Sequence, residues 1–359
     1  MRMTSRERIT AAFQHRDVDR TPVFEYVLLS PLATHFLGRP YTYDAFDWGR
    51  VRSQEEWRAA VRQLACDYLD IAEKLGHDLI YAVPNPGAPR PAGPAASTSA
   101  PVPEPDDPVE RVRRRNAARA AAATAVPEET LLVYVELKAE MARRGLDLPI
   151  LAPAYAHGIW TDVDLMQAML LDPAVAHEHF RLCTRASLAR VEAYAALGLE
   201  LIGVGGDFAG NRPLISPAAY REFIVPEVRE VSRRVHQGGG WAVNASDGNL
   251  WSVLEDFLVG CEVDAYLEID LHAGMDLRRL KATYGDRTTL VGNLDCGNTL
   301  SFGTEAAVRQ HVRNCLEAGW GKGGHVLCAS NAITASVPLA NYLIVINTYR
   351  EFFGLPRFR

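Results

Sequence analysis

The chain has no run of about 18 apolar residues, the length that crosses a bilayer as a helix. Its charged start, MRMTSRERITAAF, lacks the apolar core of a secretory signal. The six cysteines, Cys66, Cys183, Cys261, Cys296, Cys315 and Cys328, have no CxxC spacing, which speaks against a zinc ribbon and a disulfide framework. These three absences predict a soluble protein of the reducing cytoplasm. Positive charge is also scarce, since the formal net charge is −6 and ERVRRRN at 110–116 is the one basic cluster. No basic field would collect phosphate, so nucleic acid and anionic membranes are excluded as partners, and the cluster reads as a solvated helix face.

What is present is an ordinary globular composition, 48% hydrophobic and 23% charged over 359 residues. One segment departs from it. Residues 84–108, PNPGAPRPAGPAASTSAPVPEPDDP, hold too little apolar surface to repay their ordering entropy and read as a flexible Pro/Ala-rich loop within a single domain, 1–359. Elsewhere short apolar runs alternate with amphipathic stretches, which predicts a βα repeat around a parallel sheet. A Thr4-x-x-Glu7 capping box opens an N-terminal helix over 5–15. Strands are expected at 22–28, 78–82, 149–152, 199–204, 241–243, 265–269, 289–294 and 325–329, with the clearest helices at 55–75, 172–197, 217–235 and 304–318. Eight strands with interleaved helices predict an α/β fold, a single (β/α)8 TIM barrel with an N-terminal helical extension.

In such a barrel the chemistry sits where strands end and loops begin. The fourth expected strand leads into GVGGDFAGN with Asp207, and the fifth into NASDGN with Asn244, Ser246 and Asp247. The sixth leads to Glu268, Asp270 and His272, the seventh to Asn293 and Asp295, and the eighth into CASNAIT with Asn331. Each of these alone is ordinary turn and cap chemistry. Repeated at successive strand ends, they predict one polar site. Tyr155, His157 and Trp160 after the third strand, with Glu25 and Tyr26 on the first, are expected to line it.

The opening TSRERITAAFQHRDVDRTPVF, with its D-R-x-P-V element, resembles the start of proteins of the uroporphyrinogen decarboxylase superfamily. GDFAGNRPLISPAAYREFIVPEVREV, ASDGNLWSVLEDFLVGCEVDAYLEID and GGHVLCASNAITASVPLANYLIVINTYREFFG are similar to that family in the same order. The resemblance implies a single (β/α)8 barrel, a small-molecule substrate, and a homodimer. It also implies two activities. The decarboxylase branch holds a polycarboxylate with arginines soon after the first strand and a C-terminal His. This chain runs VFEYVLLSPLATHF there, with no arginine before Arg39, and has Asn331 after the eighth strand. The cobalamin-linked methyltransferase branch holds zinc with His-x-Cys at the fifth strand and Cys after the eighth. The counterparts here are Asn244, Ser246 and Asn331, weak neutral donors, so no metal ligand is assigned and zinc is not expected. Cys328 could replace one ligand, and Cys296 with His272 could build another site; the alternative for Cys328 is a buried apolar residue.

Asp207, Asp247 and His157 are therefore the expected catalytic groups, as hydrogen-bond acceptors or general acids and bases. Glu25, Tyr26, Tyr155, Trp160, Asn244, Ser246, Glu268, His272, Asn293 and Asn331 are the expected substrate contacts. The leading function is methyl or alkyl transfer involving a corrinoid protein, with methylcobalamin as a possible carrier, or another methyl carrier. Two alternatives remain: a metal-independent lyase decarboxylating a small acid through Asp207 and His157, and a barrel that binds a ligand without chemistry.

Overall fold

The computed structural model describes residues 3–89, 105–122 and 124–358, so most of the Pro/Ala-rich segment, 90–104, lies outside the described residues. Seven strands form one parallel sheet in chain order: β1 (Ile80–Tyr81), β2 (Ile150–Pro153), β3 (Leu201–Gly205), β4 (Trp241–Ala245), β5 (Ala265–Leu267), β6 (Thr289–Val291) and β7 (His325–Val326). Each strand is joined to the next through helices, as parallel pairing requires. All the strands therefore point one way. Their carboxyl ends share one face of the sheet, called the mouth below.

The two-residue period of the strands sorts their side chains into two cores. Leu151, Leu201, Val243, Ala265, Leu267, Val291, Val326 and Cys328 pack inside the curled sheet. Ile150, Ile202, Val204, Ala242, Tyr266 and Leu290 face the surrounding helices. The amino end of the inner core is closed by the helix Ser5–Phe13, whose Ile9 and Phe13 belong to it. The Thr4 and Glu7 capping box is formed as expected. Among the described residues no helix is long and apolar enough to cross a membrane.

The strand expected at 22–28 does not form, so the sheet has seven strands rather than eight. Pro22 has no N–H to give to a ladder, and only isolated bridges occur, Val23 with Leu327 and Leu28 with Ile333. The segment still touches both edges of the sheet. Phe24 N–H donates to Leu327 O (3.2 Å) and Asp78 N–H to Val23 O (2.7 Å).

What fixes this segment is an ionic knot around Asp78, which is fully buried. Its carboxylate accepts from Arg8 Nη1 (2.6 Å), Ser5 Oγ (2.9 Å), Arg20 Nη1 (2.7 Å) and the Val23 amide (3.1 Å). Arg20 also donates to the hydroxyl of Tyr349 on the C-terminal helix Leu339–Phe352. The D-R-x-P-V element is thus a tie between the first helix, the edge of the sheet and the last helix. Asp78→Ala would leave Arg20 without a carboxylate and Arg8 with Asp19 alone, and is expected to lower the unfolding free energy by about 3–5 kcal/mol. The shift of the urea midpoint measures it. A loss below about 1 kcal/mol, the range of an exposed pair, would show that the knot is not what holds the ends.

Candidate functional site

Three neighbouring strands deliver one carboxyl group each to the mouth. Asp207 follows β3, Asp247 follows β4 and Glu268 follows β5. Asp207 and Glu268 line a cavity of about 350 Å³ together with Tyr26, Tyr155, Trp160, Ala156, Gly158, Gly206 and Ala245. None of the lining residues is basic. Tyr155 lies across the mouth because Gly203 of β3 has no side chain; a Cβ there would meet the ring at 2.4 Å. Trp160 forms the outer rim and stays 53% exposed.

The loop carrying Asp247 is held by a glycine. Gly248 has φ +83°, and a Cβ on it would meet the Gly210 carbonyl at 2.2 Å. Asn249 N–H donates to that same carbonyl (2.8 Å), which locks the loop after β4 against the loop after β3. Asn331, reaching over from beyond β7, donates through Nδ2 to Asp247 Oδ2 (3.0 Å). Asp270 accepts from the Gly248 amide (3.3 Å) and supports the turn from below.

Burial and mutual repulsion shape the charge of the cluster. Burial pushes the Asp247 carboxyl up to about 6, aided by Asp207 and Asp270 and opposed by Asn331. Burial raises Asp207 as well, opposed by the Asp247 amide and the Ser246 hydroxyl. Glu268 is pushed well above the usual carboxylate range by burial, then by Asp207 and Asp247. It is 6% exposed, adopts φ +70°, and its carboxyl has no hydrogen-bond partner among the described residues. A non-glycine residue held at positive φ beside a cavity is a common mark of a functional position. Asp207 Oδ1 likewise has no partner.

Other expected site residues point elsewhere, mostly for one reason, the pleat. Asn244 pairs in register with Val204 and Tyr266, which belong to the outer core, so it faces the helices. Its Nδ2 donates to Phe257 O (3.3 Å). The inward positions of β4 are Val243 and Ala245, in register with Ala265 and Leu267 of the inner core. Ser246 sits behind the Asp207 loop, accepting from the Phe208 amide (3.4 Å). His157 is buried outward: its Nε2 meets Thr184 Oγ1 (2.9 Å) on the helix Pro173–Ala196, and burial pushes it down to about 3, so it stays neutral. Glu25 also faces outward, accepting from Tyr342 OH (3.1 Å) and the Ala329 amide (3.2 Å), with burial raising it to about 7. Asn293 is buried against Met275 O (3.3 Å) and Cys315 Sγ (3.4 Å), and His272 is exposed on its loop. Neither lines the mouth cavity.

The donor set does not fit zinc. The two inward side chains at the place of the metal pair are those of Val243 and Ala245. Cys328 lies in the apolar inner core with its thiol pushed well up by burial, Cys296 contacts Ser330 Oγ (3.7 Å), and no group of three His, Cys, Asp or Glu among the described residues could hold a metal ion. A side chain that reasoning from the sequence missed is Tyr81, packed at a tilt of 52° against Tyr26 with ring centroids 4.4 Å apart. It lies within an expected strand, and its aromatic character was the available signal. The start of the Pro/Ala-rich segment, residues 84–87, lines a second cavity with Arg119, Arg185 and Arg190 that shares Tyr155 and Ala156 with the mouth.

A parallel α/β fold of TIM-barrel-like kind, with a carboxyl-lined cavity at the ends of its strands, is the class that fold and site define. The sequence profile of the family Uroporphyrinogen decarboxylase (URO-D) matches residues 153–352, more than half of the chain. The chain belongs to this family. Uroporphyrinogen decarboxylase of Xanthomonas campestris pv. campestris (strain B100) is 24% identical over 351 residues, covering 90% of each chain. That of Xanthomonas axonopodis pv. citri (strain 306) is 25% identical over 357 residues, covering 90% of this chain and 92% of the relative. Among solved structures, a methyltransferase from Methanosarcina mazei superposes with a TM-score of 0.69 at 20% identity, covering 98% of this chain and 99% of its own. The relatives are enzymes of two kinds, and the likeness of structure establishes the fold.

The raised carboxyls set a pH dependence of stability. Their folded pKa values, about 6 for Asp247 and about 7 for Glu25, lie above the unfolded values near 4. Between these limits the folded chain keeps protons that the unfolded chain has released, so the contribution of these carboxyls to stability falls as pH rises from about 4 to about 7. The buried His157, His179 and His325, pushed down by burial, act in the opposite sense over the same range. The carboxyl share is therefore read as a difference: the melting temperature of Glu268→Gln relative to the unaltered protein, both ligand-free, is expected to rise from about pH 5.5 to about pH 8. A difference that stays flat or falls over that range would contradict the assignment.

Proposed function

We propose that this chain transfers a methyl or alkyl group from a small molecule held in the mouth cavity, with the carboxyl cluster supplying the proton that the leaving atom requires. The observation that carries the reading is the pair of unpartnered groups, Glu268 and Asp207 Oδ1, lining a cavity without a basic residue. A carboxylic acid kept protonated near neutral pH is a competent general acid. In the step, the carbon exchanges its bond to the leaving oxygen or nitrogen for a bond to the carrier. The leaving atom keeps the electron pair and takes the proton from the cluster. Asp247 and Asn331 position the loop and share its hydrogen bonding. The reading keeps a corrinoid protein or other methyl carrier as partner, a homodimer as the assembly, and residues 1–359 as one (β/α)8 domain with 22–28 as the eighth wall.

Decarboxylation, the activity named for the Xanthomonas relatives, is supported less well. A substrate carboxylate in this cavity would lie against Asp207 and Glu268, and its binding is opposed wherever either of them ionises. No guanidinium lines the mouth cavity to offset this, since Arg119, Arg185 and Arg190 line the adjoining one, and Arg39, the first arginine after the opening segment, is held by Asp67 (2.5 Å) and Asp70 (2.6 Å). The acid/base pair that a small-acid lyase would use is not assembled, because His157 turns toward Thr184.

Methyl release to free cob(I)alamin from choline and from a methoxyarene, followed by absorbance, tests the proposal. Asp207→Asn and Glu268→Gln are each expected to slow turnover by about 10²–10⁴-fold, the usual scale for a general acid. His157→Gln should leave it within a few fold. Unchanged turnover in both carboxyl variants would overturn the acid role.

A further inference from the structure

We propose that the mouth cavity is built for an organic cation, a methylated ammonium group seated between the carboxyl cluster and the aromatic wall. The inference rests on the transfer reading for its chemistry and adds the substrate class.

Three side chains carry it by position. Glu268 is almost fully enclosed, lines the cavity and has no hydrogen-bond partner among the described residues. Asp207 offers Oδ1, also unpartnered, to the same space, and Asp247 lies close enough to both to act on their charge. A buried acceptor without a donor, as Asp207 Oδ1 is, is costly, and folds tolerate it chiefly where a ligand supplies the partner. A bound cation meets this need once one carboxyl of the pair releases its proton, while the other keeps its own for the transfer step.

The rest of the lining specifies which cation. Tyr26, Tyr155 and Trp160 present aromatic surface, and methylated ammonium groups, weakly hydrated and diffuse in charge, are held by such faces. A compact metal ion needs several ligands at fixed short distances, and no group among the described residues offers them. A volume of about 350 Å³ is at the lower end for small-molecule pockets and suits a short chain bearing such a head. The transfer chemistry then balances. When the C–N bond breaks, the nitrogen keeps the pair, leaves as a neutral amine, and takes a proton from the cluster to become an ammonium ion paired with the carboxylate it leaves behind.

Calorimetric titration of the ligand-free protein with choline and with its uncharged isostere 3,3-dimethylbutan-1-ol isolates the charge. Choline is expected to bind at least about tenfold tighter, a difference of about 1.4 kcal/mol. Glu268→Gln and Asp207→Asn are expected to erase most of that preference while alcohol binding persists. Equal affinities in the unaltered protein, no binding of choline at millimolar concentration, or a preference that survives in both variants would each overturn the inference. The two readings fail separately. A choline preference without methyl release contradicts the transfer reading alone, whereas methyl release from a methoxyarene without any charge preference contradicts the cation site alone.

Discussion

Side chains on a strand alternate between its two faces, and in a parallel sheet wrapped by helices this period decides which residues meet a ligand and which meet a helix. The site here depends on that constraint. On β4, Val243 and Ala245 face inward and Asn244 faces the helices, so the strand gives the mouth no donor until the chain leaves it. Carboxyl groups reach the mouth only from the first residues past the strands, where the backbone is free of the ladder. Asp207, Asp247 and Glu268 all sit there, and glycines at 203 and 248 let Tyr155 and the Asp247 loop close over them.

Electrostatics follows from this placement. Two carboxyl groups, those of Asp207 and Glu268, line a cavity with no basic lining residue, a third, that of Asp247, acts on their charge, and each is pushed upward in pKa. The contrast with Asp78 is instructive. That carboxylate is buried more deeply, yet two arginines and a backbone amide surround it, and its role is to hold the ends of the chain. A carboxyl group matched by cations is structural; one left unmatched beside a cavity stores a proton and an unmet need for positive charge. Both functions proposed for the mouth, proton donation and cation binding, come from that difference.

The repeating pattern of strands and helices, the N-terminal cap, and the convergence of Asp207, Asp247 and Glu268 with Tyr26, Tyr155 and Trp160 were legible in the sequence. They rest on periodicity and on turn residues, which local sequence encodes well. Facing was less legible. Glu25, His157 and Asn244 each lie on or next to a sheet segment, one residue from a position that faces inward, and an error of one residue inverts every assignment on a strand. The strand at 22–28 was overread because VFEYVLL has the right composition, while Pro22 and the pull of Asp78 on the Val23 amide reduce its pairing to isolated bridges. The partner of Asp78, seventy residues from Arg8 in sequence, is a long-range fact that no local pattern carries.

The central claim is that the mouth holds protonated carboxyl groups because they are buried and no basic residue lines their cavity. Carboxyl-carbon NMR titration of the ligand-free protein, with Asp207, Asp247 and Glu268 assigned through their amide variants, reads this directly. The account predicts that Asp247 titrates near pH 6 and Glu268 well above the usual carboxylate range. Titration of all three near pH 4, as for exposed carboxylates, would contradict it.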